Sequence, residues 1–287
     1  MHTRCFIALA VLAAAPAVAG AQVFAIRQVA AGNELITFPA VTPGSATIIG
    51  ATGVAVPLSG LDHIGGQLYA YGESTTIAPG SGGLYTLNAS TGAATYVGGS
   101  SLGGYVVRDL AFSPHDGNLY ALAIIPGNNS NFAQMLTIDP LTGLTTSQRD
   151  VFGSVNIQLT ALAAVGDGSF FAIDNVQDAL WRLTLNSLNR FDAVRVGTAL
   201  GGNGLTADQG FYIDWAGSGQ AILAGNGTAT FQDLRSVNLT SGTGSAIGTL
   251  PFGVNRRILD LTIVPAPGAG ALLGIAAAAV LRRRRAE

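Results

Sequence analysis

The feature that most limits the fold of this chain is an internal repeat with a period of 51 residues. Similar segments, each a glycine followed by a short apolar run, begin at Gly66, Gly117, Gly168 and Gly219. They read GQLYA, GNLYA, GSFFA and GQAILA. Repeats with periods of about 20 to 50 residues are typical of folds in which one small unit recurs. The sequence therefore predicts several copies of one structural unit rather than a single irregular core.

Each repeat has the pattern of four short strands. A strand with a tight loop precedes the glycine segment, and a strand–turn–strand segment follows it, as in MLTIDPLTGLTT at residues 135–146. In that turn the Asp139 carboxylate can accept a hydrogen bond, Pro140 presets φ, and Gly143 allows a positive φ. Four antiparallel strands in about 50 residues, repeated, are typical of a β-propeller blade.

The two ends of the body complement each other. Residues 23–26, 34–38 and 46–50 match the second, third and fourth strands of a unit, and the missing first strand appears as ILDLTIV at residues 258–264. We therefore predict an all-β fold, a five-bladed β-propeller at residues 22–264. Its N- and C-terminal strands share one blade, which removes the free sheet edges.

The N-terminal segment has the features of an export signal. Residues 1–21 have a basic start, an apolar stretch and the small residues Ala19, Gly20 and Ala21, which predicts a signal peptide. The single cysteine, Cys5, lies within it, so the body has no thiol for a disulfide, a nucleophile or a zinc ligand. We expect no cofactor and no metal.

Charge excludes nucleic acid as a partner. The chain has no lysine, and residues 22–264 contain nine scattered arginines against fifteen acidic residues. Binding to nucleic acid requires clustered cations, because its free energy comes largely from phosphate contacts and counterion release. A polybasic patch for a membrane surface is also absent from the body.

The C-terminal segment, residues 265–287, combines prolines, an uncharged run and an arginine cluster. The run from Gly268 to Leu281 is short for a membrane span, and the positive-inside bias would hold the following arginines in the cytoplasm. The segment resembles the PEP-CTERM sorting signal of exported bacterial proteins, although Ala266 stands where that signal has glutamate. The matching residues are Pro265, Pro267, Arg282, Arg283, Arg284 and Arg285.

This resemblance implies several partners and a destination. The chain would meet the export machinery and the inner membrane, and an exosortase would process its tail before release or attachment at the cell surface. The body resembles an uncharacterised family of secreted bacterial propeller domains with the blade motif L-Y-x-(L/I)-(D/N)-x-x-T-G. That family implies no activity and no functional residues.

Acidic residues recur near the start of the predicted innermost strands. They are Asp62, Asp109, Asp214 and Asp260, with Thr160 in the fifth unit. In one interpretation each carboxylate caps backbone N–H groups where a blade begins. In the other the acids face one another in a central channel, where they raise one another's pKa values or hold a cation.

The remaining candidates have simpler structural explanations. Ser101 lies in a G-x-S-x-G pattern but without the strand and helix that a nucleophile elbow requires. His63 and His115 are interpreted as solvated loop residues. The pairs Asp116–Gly117 and Asp167–Gly168 are typical of tight turns rather than calcium loops.

Three functions remain compatible with these patterns. The first is a non-enzymatic, surface-destined propeller that binds an extracellular polysaccharide or protein. The second is a glycan hydrolase or lyase that uses Asp62 and Asp214 as acid and base. The third is a structural role in the envelope or matrix.

Overall fold

The computed structural model describes residues 22–30, 32–73, 82–100, 102, 104–125, 133–153, 157–200, 210–214, 221–228, 231–252 and 257–264. Within these ranges the secondary structure is β-strand apart from one 3-10 helix at Pro43–Ser45, so the predicted all-β class is confirmed. None of the helical structure in the described part of the chain has the length and hydrophobicity of a membrane span. The predicted signal peptide and the segment from Pro265 to Glu287 lie outside the described residues.

Twenty strands occur in the described ranges and are numbered here in chain order. They are β1 (Gln22–Val29), β2 (Gly32–Pro39), β3 (Thr47–Ala51), β4 (Leu58–Ile64), β5 (Gln67–Gly72), β6 (Gly83–Leu87), β7 (Ala94–Gly98), β8 (Val106–Phe112), β9 (Leu119–Ile124), β10 (Ala133–Ile138), β11 (Thr145–Gly153), β12 (Leu159–Ala164), β13 (Phe170–Asp174), β14 (Ala179–Leu185), β15 (Phe191–Gly197), β16 (Gly210–Ile213), β17 (Ala221–Thr228), β18 (Phe231–Val237), β19 (Gly244–Thr249) and β20 (Ile258–Val264).

The strands form four sheets. Three are four-stranded, in the orders β20-β1-β2-β3, β4-β5-β6-β7 and β16-β17-β18-β19. The fourth has eight strands, in the order β12-β13-β14-β15-β11-β10-β9-β8. It consists of two antiparallel four-stranded units joined by a short parallel pairing, in which Val151 of β11 pairs with Phe191 of β15. The repeated four-stranded unit that the sequence predicts is therefore present throughout.

The first and last described strands pair with each other. β20 is antiparallel to β1, with Ala25 opposite Leu261 and Phe24 opposite Thr262. The register continues to Gln22 opposite Val264, so β1 begins and β20 ends at the same end of the sheet. The prediction that the two ends of the body complete one sheet is confirmed.

Five strands, here called the inner strands, contact one another in a closed cycle. Their order is β20, β4, β8, β12 and β16, and β16 contacts β20 again. The inner strand β12 is buried along its whole length, whereas the outer strand β11 alternates between partly buried and exposed residues up to the buried Val151. This difference follows from the sequence, because LTALAA is apolar apart from Thr160, whereas the first six residues of TTSQRDVFG are all polar.

The hydrophobic core lies between successive four-stranded units. The described residues form five apolar clusters, and each cluster takes its side chains mainly from two neighbouring units. The largest buried side chain, Trp181, belongs to the cluster between the two halves of the eight-stranded sheet. Each unit thus depends on its two neighbours for burial of its apolar faces, as in other repeat folds.

The Thr-Gly turn of the repeat also docks one unit onto the next. Gly143 has φ of +69°, as the turn requires, and it lies against Gly98 at the end of β7 in the preceding unit. A Cβ on Gly98 would overlap the carbonyl oxygen of Thr142. The same contact recurs between Gly50 and Gly92 and between Gly197 and Gly242. Glycine is therefore required at the end of these outer strands, because the neighbouring backbone occupies the space of a side chain.

Candidate functional site: the inner-strand carboxylates

Asp109 and Asp260 each connect two inner strands through backbone hydrogen bonds. The Asp109 carboxylate in β8 accepts from the N–H of its following residue at 2.6 Å and from the N–H of Leu162 in β12 at 2.5 Å. Asp260 in β20 accepts from its own following N–H at 2.7 Å and from the N–H of Leu61 in β4. Strands that face their neighbours edge-on in a ring leave such donors without a ladder partner, and these carboxylates supply the acceptors.

Asp62 repeats this arrangement at the next junction of the ring. Its carboxylate accepts from the N–H of His63 at 2.7 Å and from the N–H of Phe112 in β8 at 2.6 Å. It also accepts from the Thr262 hydroxyl of β20 at 2.9 Å. Asp62 therefore contacts the inner strands on both sides of its own strand.

The carboxyls of Asp109 and Asp260 also lie close enough to interact with each other. They belong to β8 and β20, which lie on either side of β4 in the ring. The residue of β4 beside them is Gly60, where a Cβ would lie 2.7 Å from the Leu110 nitrogen and 2.9 Å from the Asp109 carbonyl carbon. Gly210 of β16 stands in the same relation to Asp260 from the other side. A glycine thus lies against each of these two aspartates, where a larger residue would collide with the neighbouring backbone.

Burial shifts the ionisation of this pair. Asp109 and Asp260 have no exposed surface, and burial raises the pKa of each carboxyl well above its usual value. The charge of Asp260 raises the pKa of Asp109 further, and that of Asp62 adds to the shift at Asp260. The Asp109–Asp260 pair therefore holds a proton at pH values where an exposed aspartate is ionised.

The four acids do not form one ring at a single level. Four of the inner strands contain a bulge at the same place. The residues that follow the bulges in β4, β8, β12 and β20 are Gly60, Asp109, Ala161 and Asp260, respectively, so these four positions are equivalent. Asp62 lies two residues further along and Asp214 follows the end of β16, while Thr160 lies within the bulge of β12. Two residues of strand span about 6.6 Å. The four acids consequently lie at three different levels along the inner strands and do not face one another at a single level.

A polar cluster surrounds Asp62 where β4, β16 and β20 meet. The His63 Nδ1 atom lies 3.2 Å from the Thr262 hydroxyl oxygen and 3.4 Å from the Asp62 carboxylate. Because Thr262 donates its proton to Asp62, the histidine nitrogen that faces Thr262 is the donor. The Tyr212 ring is 6.1 Å from that of His63, and burial, with the charges of Asp62 and Asp214, raises the pKa of Tyr212.

The interpretation of His63 as a solvated loop residue is wrong. His63 lies within β4, and its side chain is 12% exposed. The glycines at 65 and 66 form the turn that follows, so the strand continues further than the sequence suggests. His115 is exposed in the turn between β8 and β9, as the sequence predicts.

Access limits what these groups can do chemically. Thr262, Asp109 and Asp260 have no exposed surface, and Asp62 and Asp214 are 5% and 7% exposed. Within the described ranges, no group of three or more His, Cys, Asp or Glu side chains is arranged to hold a metal ion. The observed geometry favours the first interpretation of Asp62, Asp109 and Asp260, in which the carboxylates bind backbone N–H groups.

The other candidates lie outside this cluster. Gly117 and Gly168 have φ of +74° and +85°, in agreement with the predicted Asp-Gly turns. Asp116 accepts from the Asn118 N–H and Asp167 from the Ser169 N–H, so both carboxylates belong to their turns. Ser101 lies outside the described residues.

A cleft on the side of the β8–β11 unit was missed by the sequence analysis. It has a volume of about 470 Å³, and polar but uncharged side chains predominate in its lining. We call it the glutamine cleft, and its lining includes Ser100, Tyr105, Gln134, Leu136, Thr145 and Gln148. The available signal was Gln134, a long polar residue within the largely apolar strand segment AQMLTI.

Comparisons with known proteins give similarities of fold at low identity. No protein-family model matches the chain, and no curated protein matches it significantly. A putative gluconolactonase structure is 13% identical, with a TM-score of 0.46 over 86% of this chain and 90% of the other. Regucalcin, a calcium-binding protein from Agrobacterium tumefaciens, is 16% identical, with a TM-score of 0.43 over 74% of this chain and 66% of the other. A putative 6-phosphogluconolactonase from Bacteroides fragilis is 12% identical, with a TM-score of 0.44 over 82% and 83%.

Proposed function

We propose that this chain is an exported, five-bladed β-propeller that binds a ligand at the cell surface without transforming it. The closed cycle of five inner strands supports the blade count, together with the five apolar clusters between successive units. In this arrangement the eight-stranded sheet contributes two blades, joined by their outer strands.

The observation that carries the non-enzymatic role is the use of the inner carboxylates. Asp62, Asp109 and Asp260 each accept backbone N–H groups from two strands, and two of these acids have no exposed surface. A general acid or base must reach the substrate within hydrogen-bond distance. Carboxylates committed to the fold in this way are poorly suited to that task.

Incubation of the protein with polysaccharides, followed by measurement of reducing ends, tests this role. We expect neither the wild-type chain nor Asp62→Asn to release new reducing ends from a panel of bacterial and plant polysaccharides. A known glycosidase serves as the positive control. Release by the wild type that is lost in both Asp62→Asn and Asp214→Asn, with both variants folded, would instead establish the hydrolase function.

The proposed destination is the cell surface, reached through the signal peptide and the sorting tail. It is supported by the resemblance of Pro265, Pro267 and the arginine cluster to the PEP-CTERM signal. It is also compatible with the pairing of Gln22 with Val264, which places the first residue of β1 and the last residue of β20 at the same end of one sheet. The tail can therefore leave the body without disturbing the sheet.

Fractionation of cells that carry an exosortase tests the destination. Replacement of Arg282–Arg285 by alanine should change the protein from predominantly membrane-associated to predominantly released, because the charges that hold the tail in the cytoplasm are removed. Ala266→Glu, which restores the Pro-Glu-Pro sequence, should increase the processed fraction. An unchanged distribution in the arginine variant would contradict the sorting role.

A further inference from the structure

We propose that the glutamine cleft binds a neutral saccharide. This inference rests on the proposed binding function and assigns to it a site and a ligand class. The cleft, at about 470 Å³, falls within the range of about 300–1,000 Å³ that is usual for ligand sites.

A hydrogen-bond relay fixes the orientation of the two glutamines. Gln134 lies opposite Asp150 in the β10–β11 pairing, and its Nε2 donates to the Asp150 carboxylate at 3.1 Å. Because a carboxylate only accepts, the Gln134 carbonyl must point the other way, where it accepts from Nε2 of Gln148. The relay leaves Gln148 with a carbonyl oxygen and a second N–H hydrogen, one acceptor and one donor side by side. Adjacent sugar hydroxyls present the matching pair of groups.

The middle of the relay is buried, whereas Asp150 and Gln148 at its two ends are exposed. Gln134 is 8% exposed, whereas Gln148 is exposed at the edge of the cleft. A ligand can therefore reach the end of a chain of amides whose geometry is already set. Such preorganisation reduces the entropy lost on binding.

The lining of the cleft also contains hydroxyl groups. The Ser100 hydroxyl oxygen accepts from the Thr145 N–H at 2.7 Å, which leaves its proton for donation. The Thr145 hydroxyl is buried and has no hydrogen-bond partner in the described structure. A buried polar group without a partner costs about 1–3 kcal/mol, so a ligand or water that reaches it gains that bond at low cost.

The charge and shape of the cleft select the ligand class. Ser100, Gln134, Thr145 and Gln148 offer both donors and acceptors but no charge. The partly exposed Leu102 and the Tyr105 ring supply apolar surface. The Asp150 carboxylate behind the relay would repel an anion. A saccharide without carboxyl or phosphate groups combines hydroxyls with apolar C–H faces and fits these requirements, whereas uronates and phosphorylated ligands do not.

Calorimetric titration of the full-length protein in mild detergent tests the proposal. The probes are cellohexaose, laminarihexaose and mannohexaose, with hexagalacturonate as the charged counterpart. We expect at least one neutral probe to bind and hexagalacturonate to bind more weakly. Gln148→Ala should weaken the neutral complex about tenfold, the effect of losing one or two hydrogen bonds. Gln67→Ala, which removes an exposed glutamine from another sheet, should leave the affinity unchanged.

The outcomes separate this proposal from the proposed function. Absence of binding to all three neutral probes, or tighter binding of hexagalacturonate, would overturn the assignment of the cleft. Binding that Gln148→Ala does not weaken would also overturn it, while the binding function would stand. Shortened saccharides in the titrated sample, lost in Gln148→Ala, would support the cleft and contradict the non-enzymatic role. Thermal unfolding of each variant by circular dichroism verifies that it is folded.

Discussion

Deletion of residues 258–264 is expected to abolish cooperative folding of the body, whereas deletion of residues 265–287 is expected to leave it intact. β20 pairs with β1 and also contacts the inner strands β4 and β16. Its apolar residues Ile258, Leu259, Leu261 and Ile263 are all at most 5% exposed. Burial of side chains of this size contributes about 1.5–3 kcal/mol each. Together they amount to about 6–12 kcal/mol, which is comparable with the whole stability of a typical domain, about 5–15 kcal/mol.

The loss of β20 would also remove polar connections that the remaining strands cannot replace. Asp260 supplies the acceptor for the N–H of Leu61, and Thr262 donates to Asp62. The edge of β1 would be left with unpaired N–H and C=O groups between β4 and β16. Exposed edges of this kind pair with other chains, so aggregation is expected.

Thermal unfolding and size-exclusion chromatography of the two shortened chains measure this difference. The chain that ends at Val264 should elute as a compact species and unfold in one transition. The chain that ends at residue 257 should aggregate or give no transition. A cooperative transition in that shorter chain, at a temperature near that of the first, would show that ring closure by β20 is not needed for stability.

The sequence predicted this closure because the number of strand segments in each unit can be counted from the repeat. The units from Gly66 onward contain four strand segments each, so a terminal unit with three segments and a leftover strand at the other end have one simple solution. The turn at Asp139–Gly143 was predictable for a local reason. Its hydrogen bonds and positive φ depend on residues close in sequence.

Contacts between strands that are far apart in the sequence could not be predicted in this way. The parallel pairing of β11 with β15 joins two outer edges, and nothing in TTSQRDVFG or FDAVRVG specifies a partner. The docking of Gly98 onto the next turn also depends on the spacing between units. A glycine at a strand end has several local explanations, and only the neighbouring backbone shows which applies.

For the carboxylates of the inner strands, the sequence predicted one feature and missed another. Their recurrence was visible in the sequence, but the bulges before Gly60 and Asp109, which mark the equivalent positions of the two strands, were not. As a result the sequence aligned Asp62 with Asp109, although two residues of strand separate their levels. The contact between Asp109 and Asp260 depends on two strands that are not neighbours in the ring, which no local pattern encodes.

The Asp109–Asp260 pair is expected to make the stability of the protein fall as pH rises. Burial raises the pKa of both carboxyls well above the unfolded value of about 3.9. Above that pH the folded chain consequently binds more protons than the unfolded chain. The pair's contribution is thus fully present below about pH 4 and is lost as pH rises through the folded-state pKa values. The slope reaches about 1.4 kcal/mol per pH unit for each proton released.

Other aspartates titrate in the opposite sense, but at lower pH. The Leu141 N–H lowers the pKa of Asp139, and the Ser169 hydroxyl lowers that of Asp167. Their contribution is lost as pH falls below the unfolded value and is nearly complete above about pH 5. Both lie at the surface, where solvent weakens such effects. Between about pH 5 and about pH 8 the buried pair should therefore determine the slope.

Urea unfolding across this pH range, with Asp260→Asn, separates the pair from the rest of the protein. The amide removes one ionisable group of the pair and retains only one oxygen for two backbone donors. Its unfolding free energy at about pH 5 should be lower by about 1–3 kcal/mol, the cost of one buried donor left unpaired. Its dependence on pH should be weaker than that of the wild type, because one of the two buried carboxyls no longer titrates, while burial still raises the pKa of Asp109.

A matched surface variant supplies the control. Asp192→Asn alters a carboxylate that is 48% exposed and should keep the wild-type slope. A wild-type stability that does not change between about pH 5 and about pH 8 would mean that the pair is not protonated in the folded state. If the unfolding free energy of Asp260→Asn kept the full wild-type dependence on pH, that dependence would originate in another group. Either result would leave the backbone bonds of Asp260 as the only role of that carboxyl in holding the ring together.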